Sequence, residues 1–494
     1  MVRYASPRGR WILLATILGS GIAFLDATVV NVALPTIGRQ LHAGLASLQW
    51  TVNAYTLTLA GLLLLGGSLG DRNGRRRTFV VGVIWFAVAS LLCALAPNPG
   101  VLVAARALQG VGGALLTPGS LAIIEASFHP EDRSTAIGAW SGLAGVTTAI
   151  GPFLGGWLVE AFSWRLIFLI NLPLAALVVW ITLRHVPESR DPAAAPQLDI
   201  TGAALAALGL AGVTYALTEG AGRGWTSPLI LATGVGGVLA LAAFVAVERT
   251  SKHPMLPLDI FASRQFTAAN LVTFVVYGAL GGSFFLLPIQ LQRVAGYSPL
   301  ASGVALVPTT LVMLLLSARA GRLAQRIGPR LPMSLGPLLA AAGLALLIRI
   351  DAGGSYLVDV LPGVLVFALG LSLTVAPLTS TVLAAASAEH AGVASAINND
   401  VARVAGLLAV AVLPVAAGIS GAGALTPAVF GAGFRMAMLI TASLCAAGGL
   451  LAFATIRRPG EVPAEQRSDH EPCTSCPISA PPPRRVTVKV GAEG

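Results

Sequence analysis

Apolar runs about as long as a bilayer core is thick recur along this chain, separated by short polar breaks. An α-helix rises 1.5 Å per residue, so roughly 20 apolar residues cross a ~30 Å hydrocarbon layer. Six such runs fall at roughly 11–34, 48–68, 78–96, 102–124, 137–159 and 165–183. Two more lie near 201–218 and 228–246 and are followed by a polar stretch. A further six lie near 268–291, 301–319, 333–349, 358–381, 396–417 and 434–456. The pattern predicts an all-α integral membrane protein with about fourteen transmembrane helices. Beyond Arg457 the chain turns polar, with three prolines at 481–483, which predicts a disordered tail.

The series contains a repeat. Gly67-Ser-Leu-Gly-Asp-Arg-Asn-Gly-Arg-Arg76 matches Gly321-Arg-Leu-Ala-Gln-Arg-Ile-Gly-Pro-Arg330 at Gly, Leu, Arg, Gly and Arg. Both copies follow the second helix of a six-helix block. Repeated halves with a solute site between them suit alternating access. The expected organisation is an N-terminal six-helix bundle (1–190), two linker helices (191–262), a C-terminal six-helix bundle (263–458) and a cytoplasmic tail (459–494). Together these make two pseudo-symmetric bundles plus an inserted helix pair.

Composition narrows the class. Hydrophobic residues make up 55% and charged ones 11%, so most of the chain cannot face water. The net charge of +10 does not point to nucleic acid, because the basic residues are scattered between apolar runs. With the amino terminus inside, the inner segments hold Arg3, Arg8, Arg10, Arg72, Arg75, Arg76, Arg77, Arg133, Arg319, Arg322, Arg326 and Arg330, among others. The outer ones hold only Arg39, Arg165, Arg223, Arg293, Arg349 and Arg435, a bias of about three to one that puts both termini in the cytoplasm. The apolar run from Trp11 is too long for a signal-peptide core and reads as an uncleaved first span. The four cysteines make no disulfide framework. Neither lysine, Lys252 or Lys489, follows a glycine, so the chain has no phosphate-binding loop and uphill transport must draw on an ion gradient or a separate partner.

A few polar residues inside the spans carry the candidate chemistry. A carboxylate at the depth of Asp26 costs ~2.5–3.5 kcal/mol, so it should line a wet cavity or pair with a cation, and it suits proton uptake and release. Arg106, in the fourth span, is its natural partner; snorkelling to the surface is the plain alternative. The loop Gly67, Asp71, Arg72, Gly74, Arg75, Arg76 and Arg77 forms a candidate cytoplasmic gate, with Asp71 expected on a neighbouring helix N-terminus, where backbone N–H groups favour an anion. In the fifth span Gly138, Gly142, Gly145, Ala149, Pro152 and Gly156 share a stripe that lets two backbones approach, while Pro152 permits a bend. Asp400 and Arg403 stand three apart and are expected to pair with each other. Asn53, Gln109, Asn270, Tyr277 and Gln290 are candidates for a substrate cavity. Cys473 and Cys476, with His470, have metal-like spacing but no fourth ligand, and neither metal nor cofactor is expected.

These residues resemble the major facilitator superfamily, and within it the fourteen-span drug:proton antiporters. Gly67–Arg77 looks like the superfamily's cytoplasmic loop motif and Val103–Gly113 its fourth-helix motif. Gly151, Pro152, Gly155 and Gly156 look like the fifth-helix antiporter motif, which marks exporters. Leu25–Pro35 and Trp164–Pro173 are similar to motifs of the fourteen-span group. The resemblance implies two bundles rocking around a central cavity, with Asp26 and Arg106 in proton coupling, and export of a lipophilic or cationic drug or an antibiotic. The implied partners are the lipid bilayer, protons and a small hydrophobic or amphipathic substrate, with no nucleic acid and a monomeric state. Two departures stand out. Gln325 stands where Asp71 stands in the first copy, so a latch in the second half would lack its acid. The tenth span lacks a carboxylate, which argues against a dication and leaves a neutral or anionic cargo more open. A proton symporter importing a solute and a non-transporting sensor are the rival readings.

Overall fold

A computed structural model describes residues 1–456, except 193–197, 252–253, 386–390 and 422. The tail with His470, Cys473 and Cys476 lies outside the described residues. Among those described, the chain is helical apart from one isolated bridge between Val2 and Phe128. Among the described residues fourteen segments are long and apolar enough to cross a membrane. The first six spans are α1 (Pro7–Gln40), α2 (Leu45–Asn73), α3 (Arg75–Leu95), α4 (Pro99–Ser127), α5 (Pro130–Ala161) and a sixth broken into α6 (Leu166–Leu169) and α7 (Asn171–His185). Then come α8 (Ile200–Arg223) and α9 (Pro228–Thr250). The last six are α10 (Arg264–Arg293), α11 (Pro299–Ile327), α12 (Arg330–Leu347), α13 (Leu361–Ala384, preceded by a π-helical turn at Tyr356–Val360), α14 (Ala391–Ala416) and α15 (Pro427–Thr455).

The helices overrun the apolar runs that predict them, because polar ends stay helical where their backbone is capped. Ser6, Asn98 and Ser298 accept the N–H groups of Gly9, Val101 and Ala301 at 3.1, 3.0 and 3.2 Å, an arrangement worth about 1 kcal/mol each. Helix α15 starts seven residues before the expected 434, with Pro427 in its first turn, where a missing N–H costs nothing. The sixth span breaks at Ile170, three residues before Pro173, which has no N–H to offer the preceding turn.

Loop contacts show which ends lie together. Arg8 donates to the His185 carbonyl, Val2 N–H to the Ser127 carbonyl, and Arg75 N–H to the Ser189 carbonyl. These contacts define one face of the bundle, the amino-terminal face. On the opposite face Trp164 donates to Gln40 and Arg165 to the Ala96 carbonyl.

The two halves repeat one another. Helix α1 packs on α5 and α7 as α10 packs on α14 and α15, and α4 lies against α2 and α3 as α13 lies against α11 and α12. The repeated loops share a conformation too: Gly74 and Gly328 close their helices at φ +118° and +87°, a region that favours glycine. A buried apolar cluster spans both halves, from Val29, Val30 and Ala33 of α1 to Phe285, Leu286 and Ile289 of α10. The α8–α9 pair lies beside the seam between α2 and α14, where Leu210 packs with Leu57 and Leu407 and Glu219 accepts from Trp50 at 3.0 Å. Exposed apolar side chains such as Val81, Trp85, Val88, Val235, Val238 and Leu239 form the surface that lipid covers. The chain is a multi-pass membrane protein.

Candidate functional site

Asp26 and Arg106 meet in the middle of the first half. Each is 1% exposed, and Arg106 Nη1 donates to Asp26 Oδ2. The pair is held on every side. Arg106 donates through Nε to the Thr51 carbonyl at 3.0 Å and through Nη1 to Gln109 Oε1 at 2.6 Å. Gln109 Nε2 donates to Asp26 Oδ1 and to Ser90 Oγ, both at 2.8 Å. Asn171 Nδ2 reaches the same two acceptors at 3.3 and 3.2 Å. The guanidinium lies over the Tyr55 ring, 4.3 Å from its centroid. A buried carboxylate is tolerated where a cation and further donors satisfy it, and both oxygens of Asp26 are satisfied here.

Five spans build this cluster, and the sequence pointed to Asp26, Arg106 and Gln109 only. Thr51 contributes a carbonyl, which no side-chain pattern reveals. Ser90 and Asn171 were legible as polar residues inside apolar runs. Asn171 sits just after the break that Pro173 makes, so the broken span turns an amide towards α1.

The Gly67–Arg77 segment, expected as a loop, is helical except at Gly74, because α2 runs on to Asn73 and α3 starts at Arg75; it is clamped by the segment after α7. Glu188 accepts the backbone N–H groups of Arg76 and Arg77 at 3.0 and 3.2 Å, capping α3, and its carboxyl carbon lies 2.8 Å from where a Cβ on Gly74 would stand. The acid on the N-terminus of α3 is therefore Glu188, from outside the Gly67–Arg77 segment. Asp71 instead accepts from Arg75 Nε at 2.8 Å, and its carbonyl accepts from the Asp191 N–H at 3.0 Å. Arg72 is exposed beside it, and Gly67 faces Pro118 of α4.

Helix α5 lies between α1 and α11. A Cβ on Gly151 would meet Thr28 Oγ1 at 2.0 Å, and one on Gly155 would meet Val29 Cγ1 at 2.9 Å, both on α1 beside Asp26. Gly156 and Pro152 face α11 of the other half. A Cβ on Gly156 would stand 2.5 Å from the Pro299 carbonyl oxygen, and one on Gly303 2.1 Å from that of Pro152. The stripe is not packed along its whole length, however: Gly138 and Gly142 have nothing within 4 Å. The side-chain positions of Gly145 and Ala149 lie outside the described residues.

The halves touch at the face opposite the amino terminus. There Gln49 Nε2 of α2 donates to the Val410 and Ala411 carbonyls of α14 at 2.7 and 3.2 Å. Gln292 of α10 donates to the Val32 carbonyl of α1 at 2.8 Å, and Glu160 of α5 accepts the Leu300 N–H of α11 at 2.9 Å. All three reach main-chain groups of the other half. Among the described residues no hydrogen bond joins the halves at the amino-terminal face.

The remaining polar candidates do not converge. Asn270 accepts from Asn398 at 3.1 Å, and Gln290 braces the Ile350 carbonyl at 2.8 Å in the loop after α12. Asn53 is buried with neither side-chain atom bonded, and Tyr277 is partly exposed. The expected pair of Asp400 and Arg403 is absent. Among the described residues they form no ion pair, and Asp400 Oδ1 and Arg403 Nε are buried without a hydrogen-bond partner. Spacing three residues apart permits a contact on a helix but does not compel it.

The family described as the Major Facilitator Superfamily matches residues 16–411. The chain is 40% identical over 411 residues to the puromycin resistance protein pur8 of Streptomyces alboniger, covering 82% of this chain and 81% of that one. It is 37% identical over 402 residues to the multidrug resistance protein Stp of Mycobacterium tuberculosis, covering 81% and 74%. Among solved structures it is similar in fold to a bacterial homologue of the human lysosomal transporter Spinster in its inward-facing, occupied conformation. That match has a TM-score of 0.66 and 17% identity, covering 92% of this chain and 98% of the other.

Proposed function

The chain belongs to the Major Facilitator Superfamily, and we propose that this membrane transporter is a proton antiporter exporting a small hydrophobic drug or antibiotic from the cytoplasm. Its kinship with proteins named for puromycin and multidrug resistance supports the direction and the cargo class. The observation that carries the proton assignment is the buried Asp26–Arg106 pair, a mid-span carboxylate whose charge is balanced by one cation.

The cycle follows from that pair and from the closed face. The basic loops of the amino-terminal face argue that this face is cytoplasmic, in a cytoplasmic membrane, with both termini inside. The halves, residues 1–190 and 263–458, would then be open towards the cytoplasm and latched outside by Gln49, Gln292 and Glu160. In this state Asp26 has released its proton inwards and is held by Arg106. After cargo binds and the halves rock, a proton from outside neutralises Asp26 and frees Arg106, and the empty protein returns with the proton aboard. Opposite movements of proton and cargo follow because only the neutralised or the loaded protein crosses cheaply. Gly151 and Gly155 let α5 ride directly on the Asp26 turn of α1, which links the proton site to the α11 contact. Asp71, Arg72, Gly74, Arg75 and Arg76 stand at the cytoplasmic gate, where Asp71 would latch the closed inner face. One chain holds the whole site, so the working unit is a monomer.

The test is proton-driven flux in vesicles of known orientation. Wild-type protein should couple an imposed pH gradient to counter-movement of a lipophilic compound, and Asp26→Asn should abolish that coupling while the protein stays folded. Full pH-driven export by Asp26→Asn would overturn the assignment, and co-movement would make the protein an importer.

A further inference from the structure

The mechanism above leaves two intramembrane charges without work. Asp400 and Arg403 stand near the middle of α14, Asp400 about 14 Å from the start of that helix. Burying such groups unpaired is costly, and intramembrane charges that persist mark ion or substrate pathways unless they pair. Among the described residues neither makes an ion pair within 4 Å, although Asp400 lies within electrostatic reach of Arg403, and each has a buried atom without a hydrogen-bond partner, Asp400 Oδ1 and Arg403 Nε.

Their direction is set by their neighbours on the helix. Val404 and Leu407 pack against Leu57 of α2 and Leu210 of α8. Asp400 lies four residues before Val404, and Arg403 four before Leu407, so both charges share that face one turn nearer the amino-terminal face. The contact of Gln49 with Val410 and Ala411 closes the seam about two to three turns further along α14. The charges therefore stand on the unlatched side of the closure, on a face turned towards the first half. They also adjoin the proton site. Tyr55 lies within electrostatic reach of Arg403, and its ring is covered by Arg106, the partner of Asp26.

We propose that Asp400 and Arg403 form a cargo-binding station for an amphipathic molecule bearing one protonated amine. Asp400 takes the ammonium, and Arg403 donates to a carbonyl or hydroxyl oxygen beside it. Opposite charges one turn apart, each with an unused hydrogen-bonding atom, fit a ligand that presents a donor cation next to an acceptor. A single carboxylate suits a monocation and agrees with the absence of acid in the tenth span. This rests on the export reading only in placing the station on the cargo's path; binding is testable without transport.

The probe is dansylcadaverine, a fluorescent amphiphile with one primary amine, set against its N-acetyl derivative, which lacks the charge. Binding to the purified full-length protein is read from the dansyl emission. Wild type should bind the amine at least tenfold more tightly than the acetylated form. Asp400→Asn should erase that ratio and leave affinity for the acetylated form unchanged, and Asp400→Glu should restore most of it. Equal affinity of wild type for the two probes, including no binding of either, would overturn the station. So would a fall in both affinities in Asp400→Asn, which marks a structural role. Loss of the ratio in Asp400→Asn, together with proton-coupled flux that survives Asp26→Asn, would leave the station standing while the proton assignment fell.

Discussion

At the residue scale, the Asp26 cluster separates charge from shape. Arg106→Leu would leave a buried carboxylate without its cation, and breaking such a pair from one side costs about 3–5 kcal/mol. Asp26→Asn keeps the volume and loses the charge on that side only. Arg106→Leu is therefore expected to melt well below wild type, and adding Asp26→Asn to it should recover part of the loss, measured by thermal unfolding in detergent. No recovery in the double variant would mean that the pair is not the dominant interaction of either residue. Asn171 gives a finer test. Its amide donates to a charged acceptor, a bond worth about 1.5–3 kcal/mol, so Asn171→Leu should weaken proton-coupled export about tenfold or more. Mid-span charges were legible in the sequence because so few residues there are charged. Asn171 and Ser90 were visible only as isolated polar residues, since nothing in a single helix says which neighbour its polar side chain will meet. The Asp400–Arg403 spacing misled for a related reason: each side chain has several rotamers, and surroundings from α2 and α8 decide among them.

At the element scale, the informative feature is the uneven packing of α5. Towards the latched face Gly156 leaves no room for a side chain against Pro299 and Leu300, whereas Gly142 towards the amino-terminal face has open space. Gly156→Leu should therefore force α5 off α11 and favour opening at the latched face, whereas Gly142→Leu should be accepted in the present conformation. A thiol placed at Leu306, now buried below the latch, reports the difference by its reaction with a membrane-impermeant reagent. Faster labelling from the outer side is expected for Gly156→Leu and no change for Gly142→Leu; equal rates in all three proteins would sink the idea that this crossing sets the conformation. The sequence exposed the small-residue stripe through its spacing. It did not reveal that only one end is packed, because spacing describes a helix and packing describes a state. Helix ends were blurred for another reason: hydropathy marks the apolar core of a span, while the Ser6 cap and Pro427 in a first turn set where their helices start.

At the scale of the whole molecule, the span count, the repeat and the charge asymmetry were legible because a bilayer imposes length and polarity on every crossing. The conformation was not, since one sequence must fit at least two arrangements of the same halves. The latch shows how that degeneracy is kept cheap. Gln49, Gln292 and Glu160 all bond main-chain atoms across the seam, so among the described residues no ion pair has to break there when the halves separate. If transport requires that separation, tying the seam must stop it. In a chain whose four native cysteines are replaced by serine, thiols at Glu160 and Leu300 joined by a short cleavable bifunctional reagent should abolish flux, and cleavage should restore it. The tied protein should still bind dansylcadaverine, because its amino-terminal face stays unlatched. Unchanged flux through the tied protein would mean that cargo leaves without the halves parting at this face, and the rocking cycle would have to give way to a route through one half alone.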